Sequence, residues 1–275
     1  VIELLDNTSD RSRQAFEPPQ AQDFSGRLAR QGWVSIPGHL SAQEVALMRR
    51  EIEANLAAPA LQSAVLRTVG EVLPDVLKLP SVASMLFTQR TMDRLAELIG
   101  PGFVLLPEHA VHRNGFGGWH KDTDMFERAG IYNHWDADHH IYQCAIYLQD
   151  NTEVHGGGLS GLDGSHLVPR PDPRLPQAAA LHEARCEQQG HRFETRAGDL
   201  IVFHTRLDHR ATPRQQPAPY GSKLALFFMA ARDNWHAAAY SDFIHRRPDY
   251  VYLRNYNVPS ALQQLARDNG FRWGE

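Results

Sequence analysis

The chain changes character at Gly100, and this switch of period limits the folds open to it more than any other feature. Before it, apolar residues recur at helical spacing. Ser41-Ala42-Gln43-Glu44 has the form of a capping box, and Val45, Met48, Ile52 and Leu56 follow on one face. A second helix is predicted over about 81–99, carrying Leu86, Met92, Leu95 and Leu98, with Gly100 placed to end it. After Gly100 the apolar runs become short and are separated by Gly, Pro and Asp. Strands are predicted over 103–106, 110–113, 141–148, 192–195, 200–203 and 223–230, and Gly32-Trp33-Val34-Ser35-Ile36-Pro37-Gly38 reads as an earlier short strand closed by a Pro-Gly turn. Such a series of short strands implies an α+β chain, a sandwich or barrel with helices packed outside.

The remaining stretches carry less signal. Residues 1–23 are expected to be a loosely ordered lead-in, 168–189 a proline-marked surface excursion, and 233–275 a mixed tail ending in a helix near 260–269. No internal repeat is visible, so a single domain over 1–275 is the simplest organisation, and 275 residues suffice to bury a sizeable core. Only Cys144 and Cys186 are present, which excludes a disulfide framework and a four-cysteine zinc site and favours a cytoplasmic setting. No apolar run approaches the ~20 residues of a membrane span, and Val1-Ile2-Glu3-Leu4-Leu5-Asp6 lacks the form of an export signal. A net charge of −4 argues against a nucleic-acid partner and leaves a small molecule as the expected one. The composition stands out in its 15 histidines, several of them between His109 and His140.

The sharpest local feature is Trp119-His120-Lys121-Asp122-Thr123-Asp124, after the turn Asn114-Gly115-Phe116-Gly117-Gly118. In an extended segment residues two apart share a face, so His120 and Asp122 can offer an imidazole nitrogen and a carboxylate oxygen to one point. A third ligand from a distant strand would complete a two-histidine, one-carboxylate face, which leaves positions open and suits non-haem Fe(II). Gly198-Asp199-Leu200-Ile201-Val202-Phe203 starts a buried strand that delivers two candidates at its far end, His204 and His209. Between these features lies the glycine-rich run Gly156-Gly157-Gly158-Leu159-Ser160-Gly161-Leu162-Asp163-Gly164-Ser165-His166, whose glycines permit tight turns.

In order and spacing, His120-Lys121-Asp122, then Gly157-Gly158-Leu159 running into Gly164-Ser165-His166, then Gly198-Asp199 to His204 and His209, resembles the phytanoyl-CoA dioxygenase family of Fe(II)/2-oxoglutarate oxygenases. The likeness covers roughly residues 28–232. It implies a double-stranded β-helix, a jelly-roll or cupin-like barrel flanked by N-terminal helices. It also implies Fe(II) held by His120, Asp122 and His209, with 2-oxoglutarate and O2 as cosubstrates and His204 outside the ligand set. In the family a basic residue, commonly arginine, opens the strand after the distal histidine and takes the far carboxylate of 2-oxoglutarate. Here Lys223 opens that strand, while Arg214 is nearer but sits in a Pro/Gln loop. Lys223 is the favoured partner, as a point charge without the arginine fork, and Gln143, Tyr147 and Thr212 are expected to help orient the cosubstrate. Ala211 stands where the family carries a small hydroxyl residue.

Because iron and cosubstrate carry the oxidation, no catalytic residue beyond the metal ligands is required. The expected substrate side comprises Asp124, His112, Arg113, Phe126, His134 and Trp135, with Met125, Tyr132, Arg206 and Arg232 as further candidates. Asp124 is included because H-x-D-x-D would set it on the face of Asp122. Family halogenases replace the metal carboxylate with a small residue, so Asp122 implies hydroxylation, desaturation or a related C–H oxidation. A small metabolite is expected as substrate, a natural-product intermediate foremost. Two other classes compete: a non-catalytic cupin-like binding protein, supported by lysine in place of arginine, and a zinc hydrolase, disfavoured by the lack of a His-x-His cluster or a Glu-flanked histidine pair.

Overall fold

The structure, a computed structural model, describes residues 23–58, 66–67, 70–115, 117–129, 135–172, 174–217, 219, 221–247, 253 and 256–274. The lead-in assigned to 1–23 lies outside these residues but for Asp23, which caps helix α1 (Phe24–Gln31). Strand β1 (Trp33–Ile36) and helix α2 (Ala42–Ala57) follow. The capping box forms: the Glu44 N–H donates to Ser41 Oγ at 3.2 Å, and the Ser41 N–H donates to the Glu44 carboxylate at 2.7 Å. Val45, Met48, Ile52 and Leu56 are buried along one face of α2, as their spacing requires.

Strands β2 (Leu66–Arg67) and β3 (Glu71–Pro74) precede two helices where one was predicted, α3 (Pro80–Leu86) and α4 (Gln89–Ile99). The break is made by Phe87, whose buried ring packs edge-on against Phe228 at 5.6 Å, and by Thr88, whose hydroxyl accepts from the Thr91 N–H and starts α4 afresh. Strand β4 (Val104–Arg113) is continuous where two strands were predicted. The gap predicted between 106 and 110 is a bulge at Pro107: the partners of Phe228 and Ala230, which are two apart, are His109 and Leu105, four apart. A bulge tolerates a proline that cannot donate to the ladder.

After β4 come α5 (Asp124–Ala129), β5 (Ile141–Tyr147), β6 (Leu159–Gly161), α6 (Pro176–Gln189), β7 (His191–Arg192), β8 (Leu200–His204), β9 (His209–Ala211), β10 (Leu224–Ala231), α7 (Trp235–Arg246), α8 (Ser260–Asn269) and β11 (Arg272–Trp273). The expected loop over 168–189 is therefore helical over its last 14 residues. Pro176 occupies its first turn, where a missing N–H costs nothing, and Ala, Gln, Glu and Arg sustain it. Helix α7, capped by the Asn234 side chain, was hidden in the mixed tail. The strand predicted over 192–195 shrinks to β7, although the Phe193 N–H still donates to the Leu159 carbonyl of β6 at 2.8 Å and Thr195 bridges Asn151; the Phe193 ring stacks on Trp33 at 3.6 Å.

The strands form two antiparallel sheets, the jelly-roll plan expected of the chain. The larger has the order β1-β8-β5-β10-β4-β3-β2, with β11 added parallel to β4; the smaller is β7-β6-β9. No ladder closes them into a barrel among the described residues. Alternation along the central strands sorts their side chains: Leu200, Val202, Cys144, Ile146, Leu224, Leu226 and Phe228 pack under the helices, whereas Ile201, Phe203, Ala145, Tyr147 and Ala225 face the interior between the sheets. Each large side chain buried this way contributes ~1.5–3 kcal/mol.

The Gly198-Asp199 pair is structural. Gly198 has φ +89°, and a Cβ there would lie 2.6 Å from the Leu40 carbonyl oxygen. The Asp199 carboxylate accepts from the N–H groups of Gly38 and Arg196, tying the turn after β1 to the start of β8. Cys144 and Cys186 are buried and unbridged, and no helix among the described residues is long and apolar enough to cross a membrane.

Candidate active site

His120 and His209 stand opposite each other in an antiparallel bridge. Each donates its N–H to the other's carbonyl at 2.9 Å, which sets their side chains on the same face. The rings lie 4.3 Å apart between centroids. Both Nδ1 atoms bond backbone carbonyls, His120 to Gly118 at 2.7 Å and His209 to Leu207 at 3.0 Å. That choice makes Nδ1 the protonated nitrogen and leaves the Nε2 lone pairs directed at Asp122, whose Oδ1 is 3.7 Å from His120 Nε2 and 3.5 Å from His209 Nε2.

The ligand atoms of the three residues all fall within 4.8 Å of one another. Asp122 Oδ2 is buried with no hydrogen-bond partner, an arrangement that a cation would relieve. Burial pushes the Asp122 carboxyl well above its usual range and holds His209 down at about 3, so the imidazole is neutral and ready to ligate. Two imidazole Nε2 atoms and one carboxylate oxygen on one side of a point suit a ferrous ion with open positions. Side-chain exposure falls from 44% at His120 to 23% at Asp122 and 6% at His209, so the cluster is open at one edge and anchored at the other. His204 is not available as a ligand: its Nδ1 accepts from the Arg206 N–H, and its Nε2 donates to the His139 carbonyl.

The cluster opens on a cavity of about 490 Å³ between the sheets. Lys223 is buried at one end, its ammonium donating to the Gly115 carbonyl at 2.8 Å and lying 5.5 Å from the Tyr147 ring. The turn that delivers it is held by Asn114, which adopts φ 56° and accepts from the Lys223 N–H through its side-chain oxygen at 2.9 Å. Burial lowers Lys223 to about 8. His112 and Tyr147 flank this end, both opposite Ala225 in the ladders. Gln143, expected beside them, lines the same cavity but pairs with Met229, at the far end of β10 from Lys223, where Tyr240 and Glu108 also face the cavity.

Other expected residues lie elsewhere. Asp124 and Trp135 line a second cavity of about 820 Å³, and Asp124 pairs with Arg170 at 2.7 Å. The extended segment ends at Asp122, after which a turn and α5 break the alternation that would have kept Asp124 on the ligand face. Phe126 is core, packed against Tyr240 and Phe243. Arg113 is paired with Glu71 of β3. Thr212 bonds Ser160 at 2.8 Å between β6 and β9, and Arg214 is exposed on its loop, neither of them lining the cavity. Arg206 points to His139, and Arg232 donates to the Ile99 carbonyl. Tyr132 and His134 lie outside the described residues.

Sequence reasoning missed the residues behind the ligands. Lys121 and Asp208 are both fully buried and 2.9 Å apart. The signal was the same alternation that found His120 and Asp122, applied to the residue between them.

A profile of the family described as Phytanoyl-CoA dioxygenase (PhyH) matches residues 28–218. Among curated proteins, the ectoine dioxygenase of Stutzerimonas stutzeri (strain A1501) is 32% identical over 168 residues, covering 54% of this chain and 51% of that protein. The chain thus matches about half the length of that relative. Among solved structures, EctD from S. alaskensis with 2-oxoglutarate and 5-hydroxyectoine superposes with a TM-score of 0.58 at 19% identity, covering 76% of this chain and 74% of that one. The non-heme alpha ketoglutarate dependent carbocyclase SnoK from nogalamycin biosynthesis gives a TM-score of 0.60 at 19% identity, over 77% and 84%. At these identities the structures establish a shared fold, and the profile, which spans both ligand-bearing segments, establishes the kinship: the chain belongs to the phytanoyl-CoA dioxygenase (PhyH) family.

Proposed function

We propose that this chain is an Fe(II)- and 2-oxoglutarate-dependent dioxygenase, a single catalytic domain that oxidises a C–H bond of a small metabolite. The observation that carries the reading is the convergence of His120, Asp122 and His209 at the mouth of a cavity whose far wall carries the buried cation Lys223. The three ligands would hold the ferrous ion, and Lys223 would receive the far carboxylate of 2-oxoglutarate as a charge-assisted hydrogen bond beside Tyr147. Iron, 2-oxoglutarate and O2 together supply the oxidising chemistry when bound. The protein's own work is positional. Backbone carbonyls fix the tautomers of both histidines, and Phe203, Phe227 and Leu159 keep the interior dry around the cosubstrate end.

The register of β10 separates the two ends of the cavity. Lys223, Tyr147 and His112 belong to the cosubstrate end. Gln143, Glu108, Tyr240 and Met125 make a mixed aromatic and hydrogen-bonding lining for the substrate, which fits a small polar metabolite such as a biosynthetic intermediate. The related proteins support this range, since they include an ectoine dioxygenase and an α-ketoglutarate dependent epimerase and carbocyclase of one biosynthetic route.

The test is oxygen-dependent conversion of 2-oxoglutarate to succinate by purified protein supplied with Fe(II). We expect turnover that disappears in His120→Ala while the circular dichroism spectrum is kept. A folded chain that binds neither Fe(II) nor 2-oxoglutarate would overturn the proposal.

A further inference from the structure

The bridge between His120 and His209 fixes more than the ligands. In an antiparallel pair the neighbouring residues are also opposed and point to the other face. Lys121 therefore stands opposite Asp208, and Trp119 opposite Arg210, behind the metal triad. Both contacts are present: Lys121 Nζ is 2.9 Å from Asp208 Oδ2, and the Arg210 guanidinium lies 4.7 Å from the Trp119 ring. Lys121 also donates to the carbonyls of Ser165 at 2.7 Å and Arg206 at 2.5 Å.

The segment 168–189 covers this back face. Arg170 reaches Asp208 at 3.3 Å and Asp124 at 2.7 Å, bridging one residue beside His209 and another two beyond Asp122. From α6, His182 lies 3.1 Å from Asp208, Cys186 is buried, and Glu187 accepts from the Trp119 indole at 3.1 Å and pairs with Arg210. His182, Cys186 and Asp208 lie close enough together to suggest a second metal site. Lys121 and Arg170 already neutralise Asp208, however, and a further cation between two fixed cations would be repelled.

We propose that the Lys121–Asp208 pair, clamped from outside by Arg170 and His182, is the positioning device of the metal centre. It locks the register of the two ligand-bearing segments, and through it the 168–189 segment sets how tightly and in what geometry the triad takes a divalent ion. A buried ion pair is a poor source of stability compared with apolar residues of the same size, but it specifies one alignment. These four side chains are positioning residues and touch neither metal nor substrate.

The inference rests on the assignment of His120, Asp122 and His209 as ligands, and the test separates the two. Metal-free full-length protein is titrated with Co(II) alone, reading the dissociation constant by calorimetry and the visible ligand-field spectrum. Lys121→Met combined with Asp208→Leu removes both buried charges together and is expected to keep the near-ultraviolet circular dichroism of the parent. We expect Co(II) to bind about 10–100-fold more weakly, with a shifted spectrum. Arg170→Gln, at the partly exposed edge of the network, should weaken binding in the same direction by a smaller factor. Folded variants with the parent's dissociation constant and spectrum overturn the proposal. If the double variant does not fold, unchanged Co(II) binding by Arg170→Gln overturns it alone. His120→Ala is the control: if it too leaves Co(II) binding unchanged, the ligand assignment itself has failed.

Discussion

The role proposed for Lys223, holding the far carboxylate of 2-oxoglutarate, is the largest that one side chain outside the proposed ligand set would have. It is buried, so its charge is worth more than at the surface, and a charged hydrogen bond of this kind contributes ~1.5–3 kcal/mol. Lys223→Met keeps the bulk and removes the charge. We expect the KM for 2-oxoglutarate to rise by about 10–100-fold with little change in melting temperature, measured by succinate formation across a 2-oxoglutarate series. An unchanged KM would remove Lys223 from the cosubstrate end. At this scale period-two alternation pointed to His120 and Asp122, whereas the choice of His209 over His204 as the third proposed ligand came from the family motif; the structure brings His120, Asp122 and His209 together. Asp124 does not share their face, since the extended segment it depended on ends at Asp122, two residues earlier, and Gln143 could be placed along the cavity only once its partner Met229 was known.

Elements were read best where one local signal decides them. The α2 cap is such a case, and Ser41→Ala should destabilise the protein by ~1 kcal/mol, read as a lower urea midpoint at unchanged slope. The break between α3 and α4 was illegible because tertiary packing makes it: Phe87 leaves the helical path to meet Phe228 of β10. Phe228→Ala should therefore be far more damaging than the cap variant, by ~3–5 kcal/mol, because it opens a cavity where the helices meet the larger sheet. Comparable midpoints for the two variants would mean that this contact is not part of the core. Short strands such as β6 and β9 carry too few residues for alternation to show. Their place follows from pairing with each other, which only the fold reveals.

The molecule as a whole buries many imidazoles in the neutral form. Burial holds His39, His109 and His166 down at about 4, with Arg90 and Arg94 adding to the effect on His39. In the unfolded chain these groups titrate near 6.5. Above that pH both states are neutral and the groups leave stability unchanged. Between about 6.5 and 4 the unfolded chain takes up protons that the folded one refuses, so stability falls as the solution becomes more acidic, by at most about 1.4 kcal/mol per pH unit for each group. The urea midpoint of the metal-free protein should be nearly flat from pH 7 to 8 and drop steeply below 6.5. A flat profile down to pH 4.5 would show that these histidines gain protons without unfolding. The 15 histidines were visible from the outset, but their division between ligation and core could not be read from their number.

The decline in exposure from His120 to His209 also has a kinetic meaning. On the proposed ligand assignment, an arriving ion would meet the rim imidazole first and the two more deeply buried donors after it. Release would then begin at the rim, where His120 is the most exposed of the three donors and side-chain motion is far faster than opening the fold. Exchange of iron with a chelator or a competing cation should therefore proceed in the native state, at a rate that denaturant below the unfolding transition scarcely alters.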